Sequence, residues 1–579
     1  MDTPWINSYE PDVAHSLEYP TTPITSLLDA AAAKNPTNIA INFVLKYLAG
    51  GRITLGGKLT YRQLKEAADR FATALHTLGV RKGDRVAVML PNTPQFVIAF
   101  FGALRIGATV VNINPTYTPR ELKHQLNDSG AETIVVLNTF YPRVQQIQAE
   151  TSLRRVIVTQ IYDTLPFPIS TVVRRAQHKE LDWVEVQPDA TTLLFSDLLA
   201  DFPAAPPLVQ SDAHDVALLQ YTGGTTGAPK AAMLTHYNLM ANTRQIVNWM
   251  PSLVYGRERV MCAIPFFHVY GMTVGMCFAI AQASEMIIIP NPRPVDIVME
   301  AIHNEKATVF PGVPALYIGI INHKNVDQYN LRSVKACISG SAALPMEVQE
   351  KFGEITGGRL VEGYGLTETS PVTHCNPIYG TRKSGSIGIP MPDVEIKILD
   401  LENDQPLEWG AEKEGELLLR GPQVMKGYWN RPDETEKVLA SDGWLRTGDI
   451  VRTDKDGYFY VVDRKKDLII ASGYNIVPRE VEEVLFMHPS VMEAAVAGIP
   501  DPYRGETVKA FVVLKPGAEC TVAEIRDFCK ANLASYKVPT QVEFISELPK
   551  TPVGKVLRRV LVEMEKDKQA AKQERKEEV

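Results

Sequence analysis

The sequence predicts an α/β protein with a large N-terminal domain of layered α/β sheets and a small C-terminal α+β domain. Its 579 residues are enough for several domains with buried cores. Strand-like and helix-like segments alternate through the first half of the chain. After residue 387 the pattern changes to short strands with tight turns, which is typical of a small antiparallel sheet or barrel.

The first half contains a strand–helix–strand unit. Residues 86–90 and 108–113 are short apolar runs, and residues 93–106 between them have helical character, with Asn92 and Pro94 marking the start. Such units build parallel sheets with right-handed crossovers. Further strands are expected at residues 133–137, 260–264, 286–289, 308–310 and 336–339. Residues 151–207 are expected to be an inserted, partly irregular segment because their periodicity is weak.

The domain boundary is expected in the charged run at residues 463–467. After it the chain returns to α/β alternation, with helices near 478–488 and 522–533 and strands near 494–499 and 510–514. We therefore expect an N-terminal domain at residues 1–464 and a C-terminal domain at 465–579. The last twenty or so residues are mostly charged and predict a solvated, fraying helix.

Composition excludes several classes of protein. The charged fraction is 22%, and the net charge of −7 gives no sign of nucleic-acid binding. Six scattered cysteines have no metal-ligand spacing and indicate reduced thiols in a cytoplasmic protein. The N-terminus has no secretory signal pattern, and proline, histidine and glutamate interrupt the most membrane-like run at residues 262–290. No basic amphipathic helix is expected.

The run from Tyr221 to Lys230 carries three glycines, three threonines and a terminal lysine. Glycines allow backbone N–H groups to approach an anion closely, while the threonines and the lysine add side-chain donors. The run differs from the usual P-loop because Lys230 comes three residues after Gly227 and is followed by Ala231. A polyphosphate site and a flexible turn are the two interpretations of the run alone.

Four further segments carry residues that are suited to binding or catalysis. Tyr364 between two glycines can lie flat against a purine, and Glu368 offers an oxygen ligand suited to Mg²⁺. Asp449 places a carboxylate on a tight turn, where it can accept from ribose hydroxyls. The charged run 463–467 is followed by Ser472–Ile476, and residues 549–555 form a proline-containing loop that presents Lys555. Taken singly, each is more often a turn or a solvated side chain.

Together and in this order, the segments resemble the adenylate-forming superfamily of acyl-CoA synthetases, luciferases and peptide-synthetase adenylation domains. The resemblance covers residues 22–559 and rests on the runs 221–230, 364–371, 447–449, 463–468 and 554–555. By this resemblance the residues expected to bind ATP and AMP are Thr222, Gly223, Thr225, Thr226, Gly227, Lys230, Gly340, Ser341, Ala342, Gly363, Tyr364, Gly365, Asp449 and Arg464. Those expected to take part in catalysis are Lys555, Thr367, Glu368 and His268.

The resemblance also implies a reaction in two halves. A carboxylate attacks the α-phosphate of ATP to give an acyl adenylate and pyrophosphate, and the CoA thiolate then displaces AMP. Lys555 is expected at the carboxylate and the α-phosphate, and Glu368 is expected to hold Mg²⁺. His268 is expected to border the acyl carboxylate, although a packed core histidine is the alternative. Lys466 is expected at a hinge, with Gly473 and Tyr474 lining the CoA tunnel after rotation.

The expected substrate is a fatty acid. Segments 238–249, 309–317 and 340–344 lie near the family's acyl pocket. Their only charged residue is Arg244, which is expected on a solvated helix face. No acidic residue is available to pair with the amine of an amino acid. The insertion at residues 151–207 and the run at residues 218–227 most resemble those of bacterial long-chain fatty acyl-CoA synthetases.

Alternatives stay open at this level. These are a medium-chain or aryl acid ligase, an acyl-AMP ligase that loads a carrier protein, a luciferase-like monooxygenase and a degenerate relative that binds without turnover. The expected partners are fatty acid, ATP and CoA with Mg²⁺, and no nucleic acid. Peripheral membrane contact and a homodimer are left open.

Overall fold

The structure is a computed structural model that describes residues 3–179, 183–222, 229–408, 413–464, 469–471, 474–501, 505–551, 554 and 556–577. Its strands are β1 (Ile39–Leu48), β2 (Ile53–Thr60), β3 (Arg85–Met89), β4 (Thr109–Asn112), β5 (Thr133–Leu137), β6 (Arg155–Thr159), β7 (Thr192–Leu194), β8 (Val216–Tyr221), β9 (Ala231–Thr235), β10 (Arg259–Cys262), β11 (Glu285–Ile288), β12 (Ala336–Ser339), β13 (Arg359–Gly365), β14 (Val372–Cys375), β15 (Ile389–Pro390), β16 (Glu395–Asp400), β17 (Gly415–Arg420), β18 (Leu445–Thr453), β19 (Phe459–Arg464), β20 (Ile469–Ala471), β21 (Tyr474–Ile476), β22 (Val491–Asp501), β23 (Gly505–Leu514) and β24 (Gln541–Phe544).

The helices alternate with these strands. They are α1 (Ser26–Lys34), α2 (Tyr61–Thr77), α3 (Pro94–Arg105), α4 (Pro119–Ser129), α5 (Tyr141–Ile147), α6 (Ile169–Gln177), α7 (Phe195–Asp201), α8 (His236–Trp249), α9 (Phe278–Ala281), α10 (Asp296–Glu305), α11 (Pro314–Ile321), α12 (Met346–Thr356), α13 (Pro432–Val438), α14 (Pro478–Phe486), α15 (Val522–Asn532) and α16 (Arg558–Glu577). A π-helical segment, Gly271–Cys277, leads into α9.

The largest sheet has seven strands in the order β7-β6-β5-β3-β4-β8-β9, and all neighbours are parallel except β8 and β9. The expected strand–helix–strand unit is confirmed as β3, α3 and β4. The helix begins where the Thr93 hydroxyl accepts from the Phe96 N–H at 3.3 Å, with Pro94 in the first turn. The phosphate-loop candidate joins β8 to β9 at one edge of this sheet.

Residues 151–207 are more regular than expected. β6 and β7 extend the seven-stranded sheet at its other edge. β7 has only three residues, so its alternation is too short to identify a strand from the sequence. The helix α6 between them buries Val173 and exposes Arg174 and Arg175, which makes it a short basic amphipathic helix of the kind that was not expected.

Two four-stranded sheets complete the core of the N-terminal part. Their orders are β10-β11-β1-β2 and β12-β13-β14-β15. Val309 forms parallel bridges to Val260 and Ala336, so it connects the two sheets. The strands expected after residue 387 form a four-stranded antiparallel sheet in the order β16-β17-β18-β19.

The C-terminal part has its own sheet, in the order β21-β20-β23-β22 with β24 beside β23. Its core is separate and includes Ile469, Val481, Val512 and Ile525. α16 is held to β23 by the buried Lys509, whose ammonium bonds to Glu565 at 2.5 Å. The observed α+β organisation agrees with the small C-terminal domain that the sequence predicts.

The cysteines are free and mostly buried, as the sequence predicts for structural thiols. Five of the six cysteines are buried, all six are free, and burial raises the pKa of the Cys262, Cys277 and Cys375 thiols. Across the described ranges, no helix combines the length and the apolar character that a membrane span requires.

Candidate functional site

The phosphate-loop candidate is closed at its base by a backbone hydrogen bond. The Thr222 N–H donates to the Lys230 carbonyl at 2.8 Å, where β8 and β9 separate. This bond brings the two ends of the loop together. Gly223, Thr225, Thr226 and Gly227 lie outside the described residues.

Lys230 lies in a cluster with Tyr428, Glu434 and Glu368. Its ammonium forms an ion pair with Glu434 and lies 5.3 Å from the centre of the Tyr428 ring. The Tyr428 hydroxyl donates to Glu368 Oε1 at 2.7 Å. Burial and then the Glu368 charge raise the pKa of Tyr428, while hydrogen bonding from Lys230 lowers the pKa of Glu434 to about 2. The cluster therefore connects the phosphate-loop lysine to the expected metal ligand through one phenol.

Glu368 lies on a single turn, Thr367–Thr369, directly after β13. Its carbonyl accepts from the Met425 N–H at 2.8 Å, and its half-buried carboxylate accepts from Tyr428. One oriented carboxylate fits Mg²⁺, which usually keeps several waters and takes its other ligands from substrate phosphates. Thr367 lies on the same turn, so the two expected residues are adjacent.

Tyr364 is the central residue of the expected adenine site. Gly363, Tyr364 and Gly365 form the end of β13. A Cβ on Gly365 would lie 1.9 Å from the Pro371 carbonyl oxygen, so only glycine fits there. His374 lies opposite Tyr364 on β14, with ring centres 5.8 Å apart and planes at 68°. The Tyr364 ring is thus supported from the neighbouring strand.

Gly340, Ser341 and Ala342 follow β12, which pairs in parallel with β13. The Gly340 N–H donates to the Gly312 carbonyl at 3.2 Å, and a Cβ on Gly340 would lie 3.1 Å from the Tyr270 ring. Ser341 has a φ of 69°, a left-handed conformation that is uncommon for residues other than glycine. The parallel pairing brings the 340–342 segment to the same sheet edge as Tyr364.

Asp449 is connected to Tyr364 by a side-chain hydrogen bond. The Tyr364 hydroxyl donates to Asp449 Oδ2 at 2.5 Å, and the Asp449 N–H donates to Thr447 Oγ1 at 3.0 Å. Asp449 on β18 lies opposite Arg464, the last residue of β19. The structure therefore brings the expected purine and ribose residues together, although the Arg464 side chain is outside the described part.

His268 lies between β10 and the π-helical segment and is half-buried. Its Nδ1 accepts from the Tyr270 N–H at 3.2 Å, and its carbonyl accepts from the Met272 N–H at 3.0 Å. The Tyr270 hydroxyl donates to the carbonyls of Gly312 and Ile338 at 3.1 and 2.7 Å. These bonds fix the histidine segment against the strand that leads to Gly340.

The segments expected around the acyl group are largely apolar. Phe310, Val313 and Tyr317 are buried. Arg244 is exposed on α8, which confirms that it lies on a solvated helix face. A buried apolar wall without a charged residue suits an uncharged acyl chain.

The C-terminal loop approaches this wall. A Cβ on Gly554 would lie 3.3 Å from Val313 Cγ2 and 3.6 Å from the Ala315 Cβ. Lys555, the next residue, lies outside the described residues, as do Lys466 and Gly473. Tyr474 begins β21, and its side chain is not described.

Four functional candidates were not predicted from the sequence: Tyr428, Glu434, Glu362 and Arg479. Tyr428 contacts Glu368 from 60 residues away, and Arg479 of α14 lies 3.9 Å from Glu362 of β13. Tyr428 follows Gly427 in an apparent turn, which was the available signal. Glu434, Glu362 and Arg479 are charged residues that no sequence pattern distinguishes from ordinary solvated side chains.

Comparisons with known proteins agree with this geometry. Residues 28–429 match the family described as AMP-binding enzyme, and residues 480–555 match the AMP-binding enzyme C-terminal domain. The chain is 46% identical over 570 residues to a long-chain-fatty-acid–CoA ligase of Bacillus subtilis (strain 168), which covers 97% of this chain and 98% of that protein.

Solved structures give the same result. An anthranilate CoA ligase, AuaEII, in complex with anthranoyl-AMP has a TM-score of 0.84 at 27% identity and covers 96% of this chain and 99% of its own. ATP-bound MatB from Rhodopseudomonas palustris has a TM-score of 0.80 at 28% identity and covers 94% and 99%. The family predicted from the motifs is confirmed: the chain belongs to the AMP-binding enzymes.

Proposed function

We propose that this chain converts a long-chain fatty acid into its CoA thioester through an acyl adenylate, with pyrophosphate and AMP as the other products. The single observation that carries the proposal is the Lys230–Tyr428–Glu368 cluster, which joins a cationic phosphate loop to a carboxylate. The similarity to a long-chain-fatty-acid–CoA ligase along nearly the whole chain supports the acyl class.

Separate groups of residues bind the base, the ribose and the phosphates of ATP. Adenine stacks on Tyr364 beside Gly340–Ala342, and the ribose hydroxyls bond to Asp449 and Arg464. The phosphates lie in the loop from Thr222 to Lys230, with Thr367 at the α-phosphate. The 2.5 Å bond between Tyr364 and Asp449 supports this order because it puts the base and ribose residues side by side.

The first half-reaction brings two anions together, and the site opposes their repulsion with positive charge. A carboxylate oxygen attacks the α-phosphorus while the bond to the β-phosphate breaks and pyrophosphate leaves. Lys230 neutralises charge on the pyrophosphate, and Lys555 bridges the carboxylate and the α-phosphate. Bound Mg²⁺, held by Glu368, supplies further charge neutralisation. His268 positions the carboxylate rather than acting as a base.

The second half-reaction requires a different residue at the same place. The CoA thiolate attacks the acyl carbon, and the bond to the AMP oxygen breaks. We propose that residues 465–579 form a domain that rotates about Lys466, replacing Lys555 by the Gly473 and Tyr474 segment. The approach of Gly554 to Val313 supports the adenylation orientation in this structure.

The proposal also covers the location of the enzyme in the cell, its contact with membranes and its oligomeric state. We propose a cytoplasmic enzyme that contacts membranes transiently, because long-chain acids partition into bilayers. Phe167 is 85% exposed, and Arg174 and Arg175, a few residues further along the chain in α6, are exposed as well, so this segment offers apolar and basic side chains for such contact. Sedimentation with anionic and with neutral vesicles tests the contact, and light scattering distinguishes a homodimer from a monomer.

The experiment that tests the activity is pyrophosphate release with ATP and Mg²⁺ against saturated acids of increasing length and aryl acids, with and without CoA. We expect turnover that rises with chain length and requires CoA. Turnover of aryl acids alone would replace the acyl class with that of the anthranilate ligase. Pyrophosphate release without acyl-CoA would instead favour an acyl-AMP ligase that loads a carrier protein.

The role of Lys555 is tested by separating the half-reactions. Lys555→Ala should abolish adenylation and leave thioester formation from supplied acyl-AMP and CoA largely intact. The exposed Lys566 on α16 provides a matched control, and Lys566→Ala should change neither rate. Equal loss of both half-reactions in Lys555→Ala would contradict this role.

A further inference from the structure

Arg479 connects the C-terminal α/β unit to the N-terminal part of the chain. It is the second residue of α14, and its guanidinium donates to the carbonyls of Val461 and Gly385 at 3.2 and 3.4 Å. It also bonds to Glu483 on its own helix and lies 3.9 Å from Glu362 Oε1. Its side chain is only 13% exposed, so most of these contacts are shielded from water.

Glu362 links this arginine to the expected adenine site. The carboxylate is buried on β13, and its Oε2 accepts from the Leu344 N–H at 3.2 Å. Glu362 is two residues before Tyr364, and Leu344 is two residues after Ala342. One buried carboxylate, on the strand that ends at Tyr364 and Gly365, therefore bonds to the chain just after Ala342, and Arg479 is the cation beside it.

The electrostatics make the arginine important to the carboxylate. Burial raises the pKa of Glu362 to about 7, and the charge of Arg479 opposes that effect. When the C-terminal unit moves away, the carboxylate keeps the Leu344 bond but loses its cation. Without that cation, the buried carboxyl must either carry an unpaired charge or take up a proton, so movement of the unit is energetically linked to the state of the Glu362 side chain between the adenine segments.

A second contact between the C-terminal unit and the N-terminal part occurs at Gly554. Gly554 lies against Val313 while Arg479 lies against Glu362, so both contacts belong to one arrangement of the chain. The neighbouring Glu480 bonds to Lys537 at 2.5 Å, which ties α14 to the rest of the C-terminal unit. Arg479 therefore belongs to a helix held within that unit, while its guanidinium contacts the N-terminal part.

We propose that Arg479 is a positioning residue that holds the C-terminal unit in the adenylation orientation and, through Glu362, couples that orientation to ATP binding. It touches neither the acyl group nor the phosphates. The coupling is reciprocal: bound ATP favours the docked unit, and the docked unit favours ATP. This inference rests on the two half-reactions of the proposed function for its kinetic test, but its binding test does not.

The kinetic test compares the half-reactions in Arg479→Ala. We expect the ATP–pyrophosphate exchange rate with a long-chain acid to fall about tenfold or more, and thioester formation from supplied acyl-AMP to change less than about twofold. Arg479→Lys keeps the charge and should recover part of the loss. The exposed Arg559 on α16 pairs with Glu563 and is the matched control, so Arg559→Ala should change neither rate. Equal loss of both rates would overturn the proposal.

The binding test uses ATP alone, measured by equilibrium dialysis without any acid. Arg479→Ala should weaken ATP binding about threefold to tenfold, and in the Glu362→Gln background the same change should have a smaller effect. Glutamine still accepts from the Leu344 N–H, so the adenine segments keep that bond. Additive losses, or unchanged ATP binding, would overturn the coupling. This readout keeps its meaning even if the fatty-acid assignment fails.

Discussion

The Tyr364 hydroxyl donates a 2.5 Å hydrogen bond to Oδ2 of Asp449, a residue 85 positions further along the chain. The bond joins the end of β13 to β18 of a different sheet. The ring that is expected to stack on the base therefore belongs to the side chain whose hydroxyl bonds to the carboxylate expected to hold the ribose. We expect this bond to set the base and ribose positions before ATP arrives.

Tyr364→Phe should raise KM for ATP by roughly fivefold to twentyfold and leave kcat nearly unchanged. The ring remains for stacking, but the hydrogen bond to a charged carboxylate, worth about 1–2 kcal/mol, is lost. Initial rates across a range of ATP concentrations measure the effect. Tyr458 is the matched control because its hydroxyl bonds to the Thr381 carbonyl instead, so Tyr458→Phe should not alter KM. A lowered kcat with unchanged KM in Tyr364→Phe would refute this ground-state role.

Tyr428→Phe should raise the Mg²⁺ concentration that gives half-maximal activity by roughly threefold to tenfold. The variant removes the donor that orients Glu368, while its ring still faces the Lys230 ammonium. The lost bond is worth about 1 kcal/mol at a half-buried carboxylate. Titration of Mg²⁺ at saturating ATP measures the shift.

Glu368→Gln provides the reference for the Mg²⁺ experiment. It removes the ligand charge itself, so its loss of activity should exceed that of Tyr428→Phe at every Mg²⁺ concentration. If Tyr428→Phe needs the same Mg²⁺ concentration for half-maximal activity as the parent protein, the phenol does not orient the metal ligand.

The sequence predicted the site in parts but not the bonds that join them. Tyr364, Glu368, Asp449 and Lys230 were singled out because their segments occur in an order that resembles the family's, although each segment alone is weak evidence. Tyr428 was not singled out, because its contact to Glu368 depends on how residues 60 apart pack. Hydrogen-bond partners across sheets leave no local periodicity, so only the folded chain identifies them.

In the fold, too, elements with a strong local pattern were predicted, whereas strands that depend on pairing with distant residues were not. The unit β3, α3 and β4 was predicted because its apolar runs are continuous and Asn92 and Pro94 mark the start of its helix, although the residue that caps the helix is Thr93. β6 and β7 were not expected as part of the main sheet, and β7 has only three residues, too few to show the alternation of a strand. Their membership depends on the parallel pairing of β6 with β5 and β7.

Glu434→Gln should lower KM for ATP by roughly twofold to fivefold. In this structure Lys230 is paired with Glu434, and the phosphates of ATP must compete with that carboxylate for the ammonium. Such a solvent-accessible ion pair is weak and is screened by salt, so the advantage of the variant should shrink as ionic strength rises. KM measured at two salt concentrations checks both parts.

Glu436, on the same helix α13, is the matched control for this change. It is exposed, and Glu436→Gln removes the same charge without touching Lys230. Its KM should stay within error of the parent protein. A higher KM in Glu434→Gln would mean that the carboxylate holds Lys230 in place for the phosphates, which is the opposite role.

Buried histidines should make the N-terminal part unstable in acid. Burial lowers the pKa of His374 to about 3 and of His236 to about 4, against 6.5 for the free side chain. The unfolded chain therefore binds protons that the folded chain does not. Their contribution to stability is complete above pH 6.5 and is lost as the pH falls from 6.5 towards 4 and 3, by about 1.4 kcal/mol per pH unit for each histidine.

Thermal unfolding between pH 7.5 and 5 should therefore show Tm falling with pH, and His374→Gln should flatten that fall. The side chain of glutamine does not acquire a proton in this range, so the folded and unfolded chains of the variant differ by one site fewer. His15 is exposed, and His15→Gln should leave the slope of Tm against pH unchanged. An unaltered slope in His374→Gln would mean that the buried imidazole takes up its proton in the folded protein at the same pH as in the unfolded chain. Its ring would then carry charge 5.8 Å from Tyr364, and the adenine site would weaken in acid before the fold does.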